Sequence, residues 1–118
     1  ARIVRPGGLI VCATECRDGI PDHGSYAELL ASRSSPEALL EMIAAPGHSV
    51  PDQWEVQVQA QIQRHARVVV KAGCLTDAQL TGAHLEPIDD VALAVAGAGA
   101  DATVCVLPEG PQTIPYLA

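Results

Sequence analysis

Short continuous apolar runs occur at intervals along the chain, and each is flanked by glycine, proline or polar residues. The clearest runs lie at residues 9–13, 67–72 and 103–107. Runs of this length are typical of strands that are buried on both faces of a parallel sheet. We therefore predict three strands at these positions. A brief additional strand is predicted at residues 84–88, where Pro87 would confine it to a sheet edge or a strand end.

The segment that follows Pro51 carries two conflicting patterns. From Val56 onward, apolar residues alternate with glutamines, which taken alone favours a strand. Apolar residues also recur every four positions, as on one stripe of a helix, at Trp54, Val58, Ile62 and Ala66. Asp52 and Glu55 have the spacing of a capping box, in which each side chain accepts from the backbone N–H of the other residue. We therefore predict a helix over residues 51–65.

Four further helices are predicted from cap residues and from the spacing of apolar positions. They begin near Ser25, Ser35–Pro36, Thr76 and Asp90, with Pro36 at the first helical position and Asp89 as the alternative cap of the last helix. Strands that alternate with helices imply a parallel sheet with right-handed crossovers. The predicted fold class is α/β: a three-layer, Rossmann-like sandwich with a small, mainly parallel sheet. One domain is expected over residues 1–118.

Composition narrows the possible partners of this domain. Hydrophobic residues make up 48% of the chain and there is no phenylalanine, so the core must consist of Val, Leu, Ile and Ala. The formal charge of −7 disfavours binding to nucleic acid or to an anionic membrane surface. No apolar run approaches the length of a membrane span. The chain begins without Met or a signal-peptide pattern, which leads us to expect a piece of a longer polypeptide.

Four cysteines are present, and the sequence places two of them in apolar runs. Cys12 and Cys105 are therefore expected to be buried thiols. The C-x₃-C spacing of Cys12 and Cys16 is neither that of a redox pair nor that of a zinc knuckle. A metal-ligand set can be drawn in this region, but no second Cys/His pair completes it. Its members would be Cys16, Asp18, Asp22 and His23. We predict no metal site and a reduced, cytoplasmic protein.

The polar segment 14–24 follows the first predicted strand, which we expect to be a central strand of the sheet, and would lie at its carboxyl end, where ligands bind in open α/β sheets. It contains the charged residues Glu15, Arg17 and Asp18, and also His23. These residues form either a solvated loop with local salt bridges or part of a binding site. No phosphate-binding glycine loop and no G-x-S-x-G motif is present.

The single tryptophan, Trp54, stands beside two of the predicted loops. It is either a core residue or one wall of a cleft.

Three sequence blocks resemble the carboxyl-terminal domain of the nickel-dependent lactate racemase family. The first is Arg-Pro-Gly-Gly at residues 5–8 with Glu-Cys-Arg-Asp-Gly at 15–19. The second is Val-Pro-Asp-Gln-Trp-Glu at 50–55, and the weaker third is Leu-Pro-Glu-Gly-Pro at 107–111. The blocks occur in the family's order and span nearly the whole chain.

The resemblance implies a function for a longer, two-domain enzyme. Members of the family racemise 2-hydroxy acids by passing a hydride to and from a nickel-pincer nucleotide. That cofactor is held by the amino-terminal domain, so this chain would contain no catalytic residue and would be inactive alone. The resemblance places Trp54 on the substrate side of the interdomain cleft. The other residues expected at this cleft are Gln53, Glu15, Arg17, Asp18 and His23.

Two hypotheses follow from the sequence. The first is the cleft-forming domain of a lactate racemase-like racemase or epimerase, whose partners are the amino-terminal domain and a small 2-hydroxy acid. The second is a non-catalytic α/β module that binds a small anion or a partner through the loop at residues 15–24. The nature of any sequence that precedes Ala1 would distinguish them.

Overall fold

The structure is a computed structural model that describes residues 1–116. Its three strands are β1 (Leu9–Thr14), β2 (Arg67–Ala72) and β3 (Glu86–Pro87). They form one parallel sheet in the order β1-β2-β3. The β1–β2 register runs from Leu9 opposite Arg67 to Thr14 opposite Ala72. The predicted strands at 9–13 and 67–72 are confirmed, and so is the brief edge strand that contains Pro87.

Five α-helices and one 3₁₀ turn accompany these strands in the described part of the chain. The helices are α1 (Tyr26–Ala31), α2 (Pro36–Ala44), α3 (Gln53–His65), α4 (Asp77–Gly82) and α5 (Val91–Ala96), and the 3₁₀ turn is Gly110–Gln112. Helix α3 contacts β2 and α4 contacts β3, and the right-handed crossovers expected between parallel strands put both helices on one face of the sheet. Helix α5 contacts β1. A groove lies between α5 and β1. It is lined by Leu9, Val11 and Ala13, alternate residues of β1 that point to the face of the sheet opposite α3 and α4. The predicted α/β fold class is therefore confirmed.

Local caps explain where several helices begin. The Ser35 side chain accepts from the N–H of Ala38 at 3.2 Å, and Pro36 occupies the first position of α2. Thr76 and Gln79 form a complete capping box at α4. Asp90 accepts from the N–H of Leu93 at 3.0 Å and so caps α5.

The hydrophobic core lies where α1, α2 and α3 meet. Its buried members are Leu29, Leu30, Leu39, Val56, Ala60 and Ala83. Helix α3 contributes Val56 and Ala60, one turn apart, while Trp54 and Val58 are 63% and 48% exposed. The predicted stripe of Trp54, Val58, Ile62 and Ala66 is therefore not the buried face of α3, although Ala66, just after the end of the helix, is buried. Apolar residues at every second position of a helix form two apolar stripes. In α3, contact with α1 and α2 buries the stripe that contains Val56 and Ala60.

The alternating glutamines of α3 tie it to neighbouring elements. Gln59 Nε2 donates to the carbonyl oxygen of Ala83 at 2.7 Å, and Gln63 Nε2 donates to that of His84 at 2.6 Å. Gln59 also accepts from the hydroxyl of Tyr26 in α1. Burial raises the pKa of Tyr26, with a further contribution from Glu55, so Tyr26 stays protonated and can donate this bond.

Three predictions are wrong: the burial of Cys12, the burial of Cys105 and the strand at residues 103–107. Cys12 is exposed, because it lies in the carboxyl half of β1, an edge strand whose last three residues are all exposed. Residues 103–107 form no strand, and both Val106 and Cys105 are exposed. Their backbone makes no hydrogen bond to β1 among the described residues. They line the groove between α5 and β1, so their apolar pattern reflects partial contact with that groove and not pairing in a ladder.

The core predicts a large difference between two leucine truncations. Leu39 is fully buried, so Leu39→Ala should lower the free energy of unfolding by about 2–5 kcal/mol. Leu93→Ala removes the same atoms from a side chain that is 73% exposed, so the free energy of unfolding should change by less than about 0.5 kcal/mol. Urea denaturation of both variants measures the difference. Equal losses would contradict this assignment of the core.

A charge pair joins β2 to β3. Arg67 Nε donates to Glu86 Oε2 at 2.7 Å, and a second Arg67 nitrogen donates to the other carboxylate oxygen. This hydrogen bonding, assisted by the charge of Arg67, lowers the pKa of the Glu86 carboxyl below its usual value. A carboxyl with a lowered folded-state pKa stabilises the fold above its unfolded pKa. That stabilisation is lost as the pH falls through the folded pKa.

Glu86→Gln should therefore destabilise the domain at neutral pH. The difference from wild type should begin to shrink as the pH falls to about 4, the pKa range of an unfolded glutamate, and should vanish only below the lowered pKa of the folded state. Thermal melts across the pH range measure this difference. Glu109→Gln is the control, because Glu109 forms no ion pair in the part of the chain that is described. A Glu86→Gln deficit that persists at low pH would exclude the charge pair as its cause.

Candidate functional site

The carboxyl edge of the sheet is extended by two backbone hydrogen bonds beyond the strands. The N–H of Gly73 donates to the carbonyl oxygen of Thr14 at 3.1 Å, and that of Cys74 donates to Glu15 at 2.8 Å. The backbone of Glu15 is thus fixed at this edge, where ligands bind in open parallel sheets. The 14–24 loop thus follows the carboxyl end of β1 as predicted, but the prediction that this strand is central is wrong, because β1 is an edge strand in the described sheet.

Charged side chains of this loop point into solvent. Arg17 pairs with Glu15, and their side chains are 78% and 66% exposed. Asp18 is exposed as well. His23 Nδ1 lies 3.8 Å from Asp22 Oδ1, again in an exposed pair. Surface pairs of this kind contribute little stability. The loop therefore presents charged side chains at the edge of the sheet, but these exposed pairs do not hold the loop in place.

Helix α3 carries Trp54 to the same edge. Its last residue, His65, accepts from the N–H of Gly7 at 2.8 Å, which fixes the end of the helix near the amino ends of the strands. Thirteen helical residues span roughly 20 Å, about the length of a six-residue strand. The first turn of α3 therefore lies at the carboxyl edge, with the indole of Trp54 63% exposed.

The predicted capping box at the start of α3 is wrong. Asp52 has a left-handed backbone, with φ of 64°, and its side chain makes no bond to the helix. Its Oδ2 instead accepts from the N–H of Ser25 at 2.8 Å. Gln53 Oε1 accepts from the N–H of Val50 at 3.0 Å, so this candidate cleft residue also closes the turn that opens the helix. Ser25, predicted to cap α1, makes no side-chain cap bond.

The six candidate cleft residues thus divide into two groups. Glu15, Arg17, Asp18 and His23 belong to the charged loop, and Gln53 and Trp54 begin α3. The bond between Asp52 and Ser25 connects the groups. Sequence patterns missed this bond, although a glycine directly before Ser25 was a signal for a special backbone there. Contact of the six with substrate stays a prediction.

Apolar grooves lie elsewhere on the molecule. The larger has a volume of about 730 Å³ and lies between α5, β1 and residues 102–108. A second groove of about 500 Å³ lies where α5 meets β2 and Gly7. Neither is lined by any of the six candidate residues. The candidate cleft is therefore an open surface on this chain, which needs a second wall to enclose a small molecule.

The side chains do not form a metal centre. Among residues 1–116, no three His, Cys, Asp or Glu side chains are grouped as ligands for one ion. Two histidines already face backbone oxygens: His65 Nε2 lies 2.7 Å from that of Val4, and His84 Nε2 lies 3.0 Å from that of Leu30. This donor set does not fit a resident nickel ion. Within the same residues, no helix has the length and apolar character needed to cross a membrane.

The fold and the edge define a class of protein: an α/β domain with a small parallel sheet, an exposed tryptophan and a charged loop. The chain belongs to the lactate racemase C-terminal domain family, whose model matches residues 1–114. The resemblance seen in the three sequence blocks is thereby confirmed.

Two curated relatives are both lactate racemases. The protein of Lactiplantibacillus plantarum is 31% identical over 111 residues, which cover 90% of this chain and 26% of that protein. The protein of Thermoanaerobacterium thermosaccharolyticum is 28% identical over 116 residues, which cover 93% of this chain and 27% of that protein. The chain thus spans about a quarter of the length of the relatives it matches.

A solved structure supports the fold independently. The lactate racemase apoprotein of Thermoanaerobacterium thermosaccharolyticum superposes with a TM-score of 0.68 at 24% identity. The match covers 82% of this chain and 24% of that one. At this identity the likeness establishes the arrangement of strands and helices.

We predict that the reduced chain binds no nickel with useful affinity, because no group of ligands converges within the described part of the chain. Equilibrium dialysis against nickel measures this directly. A doubly substituted Cys16→Ser, His23→Ala chain is the matched control, since it removes the only sulfur and imidazole of the ligand set drawn from the sequence. One tightly bound ion per chain that is lost in this control would contradict the prediction.

Proposed function

We propose that this chain is the carboxyl-terminal domain of a longer, lactate racemase-like enzyme that interconverts the stereoisomers of a small 2-hydroxy acid. The exposed Trp54 at the carboxyl edge of the sheet carries this proposal. Family membership and the lengths of the relatives support it, because this chain matches only about a quarter of each lactate racemase.

The proposed role of the domain is to form one wall of the cleft between the two domains. An indole that is 63% exposed on a first helical turn offers a large, rigid apolar surface to a neighbour. Covered by the preceding domain, it would exclude water and hold the substrate in a reactive orientation. The charged loop would form the rim of this cleft, with Arg17 available to a carboxylate once its pairing with Glu15 is exchanged.

Redox chemistry belongs to the other domain in this proposal. The nickel-pincer nucleotide expected in the family would supply reversible hydride transfer there, and the residues of this chain do not fit it. The described residues accordingly bind, orient and shield. A cytoplasmic location is part of the same proposal, and the free cysteines support it.

Trp54→Ala, in the full-length protein, should slow racemisation by roughly ten- to hundredfold, because the wall that orients the substrate is lost. Its free energy of unfolding should change little, since the ring is mostly exposed. Assays of 2-hydroxy-acid racemisation and denaturation of the same preparation give both quantities.

Val56→Ala is the matched control on the same helix. Val56 is fully buried, so this change should cost roughly 2 kcal/mol of stability and leave the activity per folded molecule unchanged. A Trp54→Ala variant that is destabilised but keeps its specific activity would contradict the site. Wild-type protein without activity on any 2-hydroxy acid would contradict the proposed function itself.

A further inference from the structure

Asp52 departs from the backbone conformation that its sequence position predicts. Its φ of 64° is in the left-handed region, which costs a residue with a Cβ roughly 1–2 kcal/mol. This conformation turns the carboxylate away from α3, whose first free N–H groups it would otherwise cap. The carboxylate reaches residue 25 instead, across 27 positions of sequence, and accepts from the Ser25 N–H at 2.8 Å in a partly buried setting.

Gly24 is shaped to receive this carboxylate. Its φ is 72°, and a Cβ at this position would overlap with Asp52 Oδ2. Both the backbone conformation and the available space therefore require glycine. Two left-handed backbone positions, Gly24 at the end of the loop and Asp52 just before α3, thus lie beside a single charge-assisted hydrogen bond.

Each side of this contact leads directly to a candidate cleft group. On one side, the N–H of Glu55 donates to the carbonyl oxygen of Asp52 at 3.0 Å, inside the turn that carries Trp54. On the other side, Ser25 accepts from Leu29 at 2.9 Å, which anchors the end of the charged loop on α1. Apart from this contact, the loop is held at its beginning, through Glu15 and Cys74, and by Ile20, which packs against the core.

We propose that Asp52 is a positioning residue: it fastens the loop at residues 15–24 to the first turn of α3, so that the charged rim and the indole keep a fixed spacing. The catalytic consequence rests on the proposed function, while the fastening is a property of the chain itself. Asp52 touches no substrate in this account and acts through the loop and Trp54.

Two substitutions separate the hydrogen bond from the backbone strain. Asp52→Gly keeps the left-handed conformation at no steric cost but removes the acceptor. Asp52→Asn keeps an acceptor oxygen and tolerates the same conformation. Ser35→Gly is the matched control, because it also removes one side-chain acceptor of a backbone N–H. Ser35 lies at the first turn of α2, the end of that helix farther from Asp52 along the chain.

Amide hydrogen exchange of Ser25 is the direct measurement. Loss of a bond to a charged acceptor should speed it roughly ten- to hundredfold in Asp52→Gly. Asp52→Asn should remain within about threefold of wild type, and Ser35→Gly should leave the Ser25 rate unchanged. The same Ser25 rate in Asp52→Gly as in wild type would overturn the fastening, whether or not the protein is a racemase.

The full-length protein tests the consequence. Asp52→Gly should lower kcat for racemisation by roughly tenfold or more with a smaller change in KM, because orientation and not uniform binding is lost. Asp52→Asn and Ser35→Gly should both have a kcat close to that of the wild type. Faster Ser25 exchange with an unchanged kcat would overturn the positioning role. Inactivity of the wild type as well would refute the proposed function instead, and the exchange rates would still decide the fastening.

Discussion

The parallel pairing of β1 with β2 is the constraint on which the rest of this structure depends. Parallel neighbours cannot be joined by a tight turn, so the chain must return across the sheet before it can pair again. Helices α1, α2 and α3 all lie within this return. Because α3 must end where β2 begins, it runs against the strands, and its first turn is delivered to the carboxyl edge. The location of Trp54 is therefore a consequence of strand pairing, and its own side chain plays no part in it.

Local chemistry made much of the fold predictable. A run of β-branched residues at Arg67–Ala72 and the cap residues Ser35, Thr76 and Asp90 act within a few positions of sequence, and the structure shows each as predicted. The failures all depend on distant partners. Asp52 has the spacing of a cap but bonds to Ser25, and the choice between the two stripes of α3 is made by α1 and α2.

The candidate site was less accessible to sequence reasoning than the fold. Residue type and loop position identified the charged segment at residues 15–24, and family resemblance singled out Trp54. Neither reveals that the two segments are joined, since the joining residue resembles an ordinary helix cap. The apolar pattern at residues 103–107 led to a wrong strand prediction for a related reason. Apolar residues indicate contact with an apolar surface, and that surface can be a groove as well as a neighbouring strand.

The long crossover between β1 and β2 also bears on how the molecule folds. Contacts between residues far apart in sequence require closure of a long loop before they give any stabilisation, and domains rich in such contacts fold slowly. Every candidate cleft residue lies inside the loop that the β1–β2 pairing closes. The contacts of α3 with α1 and α2 lie wholly within that loop, so they can form before the loop closes. The position of Trp54 relative to the edge of the sheet, in contrast, is set only when β1 and β2 pair.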